Sequence, residues 1–396
     1  MDDAPLPNAL SLPLARDWPE LRDGVSRICS EFSDIYWTSI DKDDAYPEAF
    51  VAALTENGYL AALIPEVYGG AGLPLSAGCA ILETIHASGA NAAACHAQMY
   101  TMGTLLRHGS ANQKERYLPG IARGELRLQA FGVTEPTTGS DTTQLKTRAE
   151  RTASGWIING QKVWTSRALY SDLMILLART TPADEVQRRS EGLSVFLVDM
   201  REAIGNGLEI RPIDAMINHN TTEIYFDDLE IPADALIGQE GRGLPHILDG
   251  MNAERILIAS ECIGDARFFL ERACTYARER VVFGRPIGQN QGIQFPLARA
   301  HAQTEAAALI VAKAAALFDA GEPCGEAANT AKLLASEASW QAGEAAMQTY
   351  GGFAFATEYG IERKWRETRL YQTAPISTNM ILAYLGQHVL GLPRSY

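Results

Sequence analysis

Glu254 is a carboxylate set on an otherwise apolar helical stripe. Ile247, Met251, Glu254 and Ile258 recur at spacings of 4, 3 and 4, which places them on one face of a helix. Burial there disfavours the charged form and raises the pKa. A carboxylate that titrates near neutrality suits the removal of a weakly acidic proton. The competing reading is structural: Glu254 pairs with a buried arginine, Arg255 beside it or one on another helix. A second feature is the stretch Phe131-Gly132-Val133-Thr134-Glu135-Pro136-Thr137-Thr138-Gly139-Ser140-Asp141, crowded with small and hydroxyl residues. It reads either as a turn-rich connector or as backbone N–H groups and hydroxyls lining a site for an electron-rich ring and its phosphates.

Three compositional zones hold these features, consistent with about two to three domains for 396 residues. Residues 1–128 carry apolar residues at 3- and 4-residue spacing and are expected to be helical, broken by a loop at Pro65-Glu66-Val67-Tyr68-Gly69-Gly70. Residues 129–235 turn to short β-branched and aromatic runs, among them Trp156-Ile157-Ile158, Leu173 to Leu177, Leu193 to Val198 and Glu223 to Phe226. They predict a small antiparallel β-domain. Residues 236–396 return to longer helices, and the Ala- and Leu-rich Ala298 to Ala320 reads as a helix buried inside a bundle.

Hydrophobic residues at 46% and charged residues at 21% describe a globular chain. A formal charge of -14 argues against a nucleic-acid or anionic-membrane surface as the main partner. No apolar run approaches the roughly 18 to 20 residues of a membrane span. Met1-Asp2-Asp3-Ala4-Pro5 has neither secretory nor transit-peptide character, so the expected compartment is the cytoplasm. The six cysteines, Cys29, Cys79, Cys95, Cys262, Cys274 and Cys324, lack paired spacing; reduced, mostly buried thiols and no metal site are expected. The absence of G-x-G-x-x-G, G-x-x-x-x-G-K and H-E-x-x-H disfavours nicotinamide, ATP and zinc-hydrolase chemistry.

Five segments in order give the chain a resemblance to the acyl-CoA dehydrogenase family. They are Pro65 with Tyr68-Gly69-Gly70; Val133 to Asp141, similar to V-T-E-P-x-x-G-S-D; Asn159-Gly160-Gln161-Lys162-Val163-Trp164-Thr165-Ser166; Arg280-Val281-Val282-Phe283-Gly284-Arg285-Pro286-Ile287; and Gln348-Thr349-Tyr350-Gly351-Gly352. The resemblance implies an α+β fold ordered α-β-α, ending in a four-helix bundle, and FAD as cofactor. It further implies that the backbone at Phe131, Val133 and Thr134 meets the flavin ring. Ser140 would reach pyrophosphate and substrate, Trp164 would pack beside the isoalloxazine, and Ser166 would offer it a hydroxyl. Gly139, Ser377 and Asn379 fall among the implied FAD residues, and Met251, Arg255 and Ile376 among the implied substrate residues. Arg280, Phe283, Gln291, Gln348 and Gly352 match positions that hold a neighbouring subunit's FAD, which implies a homodimer or a homotetramer built as a dimer of dimers. Without the resemblance, Trp164 reads as a core strand residue and Arg280 as a solvated helix charge.

The chemistry that the resemblance implies is removal of an α-proton from an acyl-CoA by a carboxylate, with the β-hydrogen leaving as hydride to the flavin and electrons passing to an electron-transfer flavoprotein. The commonest family base, a Glu in a Y-E-G-T segment, is replaced: Pro375 stands at the Glu and Ile376 at the Gly. Isovaleryl-CoA and long-chain dehydrogenases instead carry the Glu on a helix before an Arg, where this sequence has Met251-Asn252-Ala253-Glu254-Arg255-Ile256. Glu254 is therefore the expected base. Pro375 has no N–H to offer the thioester carbonyl. The Ile376 N–H or a flavin ribityl hydroxyl takes over, the substrate sits differently, or the reaction differs. Ile376 also narrows the space a Gly would leave, so a short or branched acyl group is expected. The alternatives are an acyl-CoA oxidase, a redox-neutral lyase or desulfinase, and a non-catalytic FAD-binding assembly protein. His86, His96 and His108, with no carboxylate at hydrogen-bond spacing, read as ordinary helix residues, and the mixed-sign run Glu362 to Arg369 as a salt-bridged helix face.

Overall fold

The computed structural model describes residues 17–394, so the Met1 to Pro5 stretch read for targeting signals lies outside the described residues. Helices come first: α1 (Pro19–Ser30), α2 (Asp34–Lys42), α3 (Glu48–Glu56), α4 (Leu75–Ala87), α5 (Ala93–His108) and α6 (Ala111–Ala122). The start of α6 is fixed locally: the Ser110 hydroxyl accepts from the Gln113 N–H at 3.1 Å, and the Ser110 N–H donates to the Gln113 side chain at 2.9 Å. Between α4 and α5 the chain turns at Gly89, whose φ of 88° favours glycine.

The sheet follows, with β1 (Leu128–Gly132), β2 (Arg148–Arg151), β3 (Gly155–Ser166), β4 (Leu173–Arg179) and β5 (Leu193–Asp199). A one-turn helix α7 (Met200–Ala203) leads to β6 (Leu208–Pro212), β7 (Thr221–Pro232) and β8 (Leu236–Ile237). Strand order is β6-β7-β3-β2-β4-β5-β8, with β1 also on β4. The expected antiparallel arrangement holds for most pairs, but β1 and β2 both run parallel to β4. The segment between β1 and β2 carries the chain onward along the same edge of β4, and composition does not encode that direction. Leu173 to Ala178 of β4 and Val195 to Val198 of β5 are unbroken apolar runs because both their faces are covered. Met174, Leu176, Phe196 and Val198 fill the sheet's own core. Leu173, Ile175, Val195 and Leu197 pack with Leu105, Leu118 and Ile247 from the helices.

The carboxy-terminal zone holds α8 (Gly243–Glu279), a hairpin of β9 (Val281–Val282) and β10 (Arg285–Pro286), then α9 (Gln291–Asp319), α10 (Gly325–Tyr350), α11 (Ile361–Leu370) and α12 (Thr378–Tyr384). At 37 residues α8 is about 55 Å long and is the axis on which the other parts pack. One core joins both helical zones, from Val25, Phe50 and Leu82 to Leu257, Ala331 and Ala335. α9 departs from the expectation of a fully buried helix. Its inward face is Ala300, Thr304, Ala307, Val311 and Ala314, while Phe295 is 61% and Leu309 59% exposed. Its alanines are apolar enough for burial, yet only one stripe meets neighbours within this chain. The six cysteines are free and five are buried. Among the described residues no helix is long and apolar enough to cross a membrane.

Candidate active site

α5 and α8 lie antiparallel along the seam between the two helical zones. His96 meets Glu261 at 2.9 Å, a β-carbon on Gly250 would meet the Arg107 guanidinium at 2.6 Å, and His108 meets Asp249 at 3.1 Å. Partner numbers on α8 fall as those on α5 rise. Glu254 sits on this seam with 6% exposure. Burial is the largest influence on its carboxyl and pushes the pKa up to about 7, against smaller lowering by His96 and Arg255. Arg255 gives Nη1 to Asn252 Oδ1 at 3.0 Å, and among the described residues Glu254 forms no ion pair with it or with any other arginine. The paired-arginine reading of Glu254 is therefore not what the structure shows. Met251, one turn earlier, packs with Phe131 and Val133 against the core that joins β1, β4, β5, α5 and α6.

The histidines correct the sequence reading. His86 Nδ1 lies 2.8 Å from Asp265 Oδ1, His96 Nδ1 lies 2.9 Å from Glu261 Oε1, and His108 pairs with Asp249. Each carboxylate is far off in sequence, so no local spacing could show it. Gly264 permits the first contact, since a β-carbon there would fall 2.6 Å from His86 Cβ and hold α4 away from α8. The Glu362 to Arg369 run is salt-bridged as expected, but half of it is internal. Lys364 Nζ reaches Asp265 at 2.6 Å and Glu367 at 2.8 Å, and Arg363 Nη1 reaches Glu367 at 2.9 Å, all buried. Arg366 instead holds Asp41 at 2.6 Å and Glu362 at 2.8 Å.

The 131–141 stretch is anchored by a buried ion pair that sequence reading passed over. Lys162 Nζ lies 2.9 Å from Glu135 Oε1 and donates to the Val133 carbonyl at 3.0 Å. Glu135 also accepts from the Lys146 and Thr147 N–H groups at 2.6 and 2.9 Å. Burial pushes the Glu135 carboxyl up, but Lys162 and these hydrogen bonds outweigh it and hold the pKa below the ordinary value. The signal was present, since Lys162 shares the inward alternation of Trp156 and Ile158 on β3.

Two residues later the strand breaks register. β3 uses three residues from Lys162 to Thr165 where β7 uses two from Ile224 to Thr222, a bulge at Trp164. Trp164 takes φ 61° and is 61% exposed, so the indole is turned out of the sheet; Trp156 fills the core position instead. A left-handed tryptophan at a bulge is a conformation that persists where the surrounding structure fixes it. The nearby Ser166 hydroxyl meets Thr221 Oγ1 at 3.2 Å, while Gly139 and Ser140 are exposed on the same 131–141 loop. An outward indole, the hydroxyls of Ser140 and Ser166 and a fixed loop fit the flat face and polar edge of a flavin.

Other candidate residues fall in two places. Buried Lys332 of α10 donates to the Ile376 carbonyl at 2.8 Å, fixing the Pro375-Ile376 segment whose preceding peptide, Ala374–Pro375, is cis. Burial lowers the Lys332 ammonium to about 8. Ser377 caps α12, accepting from the Met380 N–H at 3.4 Å, and Asn379 is exposed in its first turn. Sequence reading missed Lys332, although it falls among the packed Ala328, Ala331 and Ala335 of α10. Arg280 and Gly352 line a cleft of about 540 Å³ at the far end of α8, with the Arg280 guanidinium 5.3 Å above the Phe353 ring. Phe283, fully exposed at φ 52°, Gln291 at the start of α9 and Gln348 in the last turn of α10 are all exposed. None of this second group belongs to the seam at Glu254.

The chain matches the N-terminal domain of acyl-CoA dehydrogenases over residues 17–125, the middle domain over 130–229 and the C-terminal domain over 241–389. It is 35% identical over 379 residues to an acyl-CoA dehydrogenase of Mycobacterium tuberculosis, covering 95% of this chain and 96% of that protein. The structure of a glutaryl-coenzyme A dehydrogenase with glutaryl-CoA is similar at TM-score 0.89 and 28% identity, covering 96% of this chain and 97% of that one. The FAD complex of PigA is similar at TM-score 0.87 and 25% identity over 96% of this chain and 98% of that one. A carboxylate poised near neutrality, an outward indole on a bulge and three matching domains in order leave one conclusion: the chain belongs to the acyl-CoA dehydrogenase family of flavoprotein oxidoreductases.

Proposed function

We propose that this protein is an FAD-dependent acyl-CoA dehydrogenase that introduces an α,β double bond into a short or branched acyl thioester and passes the electrons to an electron-transfer flavoprotein. The observation that carries this reading is Glu254, buried with no ion-pair partner among the described residues, its pKa pushed by burial up to about 7. A proton beside a thioester carbonyl is weakly acidic, and a base matched to neutral pH with hydrogen-bond donors at the developing enolate lowers that barrier. Glu254 takes and holds the α-proton. Lys332 fixes the Pro375-Ile376 segment, where the Ile376 N–H remains to meet the carbonyl oxygen that Pro375 cannot. The Trp164 indole, the Ser166 hydroxyl and the backbone of Phe131, Val133 and Thr134 hold the flavin; Gly139, Ser140, Ser377 and Asn379 lie where its polar edge extends. FAD, when bound, supplies the acceptor for the β-hydrogen and its electron pair. Exposed Arg280, Phe283, Gln291, Gln348 and Gly352 support a homodimer or dimer of dimers in which this end reaches a neighbour's FAD, and the exposed stripe of α9 supports the same assembly. Met251 and Arg255 flank Glu254 at the substrate, and Ile376 restricts the acyl group.

Anaerobic mixing with thioesters from butyryl- to palmitoyl-CoA, followed at the flavin band, tests this. Bleaching by four- to six-carbon or branched thioesters that persists until an acceptor is added is the expected result. Bleaching reversed by air identifies an oxidase, and no bleaching by any thioester leaves a redox-neutral enzyme or an assembly protein. Faster turnover of palmitoyl-CoA than of short thioesters would overturn the size argument.

A further inference from the structure

Where the three zones meet, a small cavity is lined by donors that have nothing to donate to. It measures about 20 Å³, room for little more than one water-sized species. Its walls come from α2, the start of α5, the chain just past β3, the chain just ahead of β7, and α11. Three nitrogens of its lining residues, Trp37 Nε1, His219 Nε2 and Arg363 Nε, are buried without a hydrogen-bond partner. Buried polar groups left in this way call for a water or an ion. The indole and guanidinium N–H groups only donate, and an imidazole Nε2 donates in one of its two neutral tautomers. Burial first and Arg167 second hold the His219 pKa down to about 3, so the ring is neutral and that tautomer is open to it. His219 is also fixed in place, since Asn218 and Asn220 on either side donate to the Ile40, Ala45 and Asp44 carbonyls at 2.8 to 2.9 Å.

Charge points the same way. Arg167, another lining residue, is 6% exposed, and among the described residues its guanidinium forms no hydrogen bond or ion pair. The carboxylates at the cavity are already engaged: Asp41 holds Arg366 at 2.6 Å, and Glu367 holds Lys364 at 2.8 Å and Arg363 at 2.9 Å. A buried charge without a counterion is costly, so Arg167 is a surplus to be neutralised. The helix end adds to it. Ala93 and Ala94, the first two residues of the 16-residue α5, lie at the cavity, and Ala92 before them supplies no side-chain cap. That positive end favours an anion. A water accepts from two of these donors but leaves the Arg167 charge unmet, and a phosphate, sulfate or carboxylate is too large for the space.

We infer that this cavity binds one small monovalent anion of halide size, chloride under ordinary conditions, held by Trp37, Arg167, His219 and Arg363. Ile40, Pro47 and Asn91, also at the cavity, are only half-buried, which gives the ion its way in. The ion joins all three zones at one point: α2 and α5, the ends of β3 and β7, and α11. Arg167 follows Trp164 by three residues, so the bound ion also steadies the end of β3 that carries the outward indole. It takes no part in the redox step.

Long-wavelength anomalous diffraction from crystals of the FAD-loaded protein grown in sodium chloride distinguishes chloride from water. A peak comparable with those of the methionine sulfurs, in contact with Trp37 Nε1 and Arg363 Nε, is expected. Thermal unfolding of the same protein in about 100 mM chloride should give a Tm about 3 °C above that in gluconate of equal ionic strength. Arg167→Met should lose both the peak and the chloride response. If that variant fails to fold, Trp37→Phe, which keeps an aromatic ring and removes one donor, should raise the chloride concentration for half the Tm shift at least about fivefold. No anomalous signal, a signal of undiminished height in Arg167→Met, a Tm indifferent to chloride, or an unchanged half-point in Trp37→Phe overturns the inference.

Discussion

Lys162→Met separates the anchoring of the 131–141 loop from the chemistry it serves. The methionine fills the lysine's space but leaves Glu135 buried with only the Lys146 and Thr147 N–H groups. Stranding one partner of a buried pair costs about 3 to 5 kcal/mol, unless the survivor takes up a proton. From the ordinary glutamate value of 4.5, protonation costs about 3 kcal/mol at pH 7 and under about 1 kcal/mol at pH 5. In the parent Glu135 is depressed, so its contribution is present above 4.5 and is lost as pH falls. In the variant it is raised, so a penalty grows as pH rises above 4.5. The stability gap between the two proteins should therefore widen from pH 5 to pH 7.5, with flavin lost at the higher pH. Urea unfolding followed by tryptophan fluorescence, with flavin content measured alongside, reads both. Glu135→Gln combined with Lys162→Met should recover most of the loss. A gap below about 0.5 kcal/mol, or one that does not change with pH, would mean that Lys162 does not compensate a buried Glu135 charge.

Glu254 should govern the pH dependence of kcat/KM, which is expected to rise about tenfold per unit below pH 7 and level off above it as the carboxylate ionises; a flat profile between pH 5.5 and 8.5 contradicts this. Its raised pKa disfavours the folded state once pH exceeds that of an ordinary glutamate, so Glu254→Gln should be more stable than the parent by about 3 kcal/mol at pH 9 and nearly equal at pH 4, measured by urea unfolding. Lys332→Met should free the Ile376 carbonyl and lower kcat/KM on the order of tenfold while FAD content holds. An unchanged kcat/KM would remove Lys332 from the positioning of that segment.

Most of the fold was legible because period and composition report burial. The three zones appear in order, and the strands expected at Trp156, Leu173, Leu193 and Glu223 lie within β3, β4, β5 and β7. Strand direction was not legible: β1 beside β4 is set by how the chain returns, not by any residue's preference. Glu254 could be read from its stripe, since a lone carboxylate among Ile247, Met251 and Ile258 has nowhere polar to go within its own helix. His86 and His96 could not, because Asp265 and Glu261 are more than 150 residues away and meet them only when α4 and α5 dock on α8. Lys162 and Lys332 sat in plain apolar patterns, and a buried lysine implies a partner even when the partner is hidden. Trp164 looked like a core residue because alternation runs through it, and only the extra residue of the bulge turns it outward.

In the mechanism proposed above, Glu254 removes the α-proton. Single-turnover flavin reduction by one bleaching thioester, compared between the parent protein and Glu254→Gln with FAD content matched, measures it directly. A fall of at least about a hundredfold with FAD retained is expected for loss of a general base. A variant that keeps its flavin and most of its reduction rate would contradict it and place the base elsewhere.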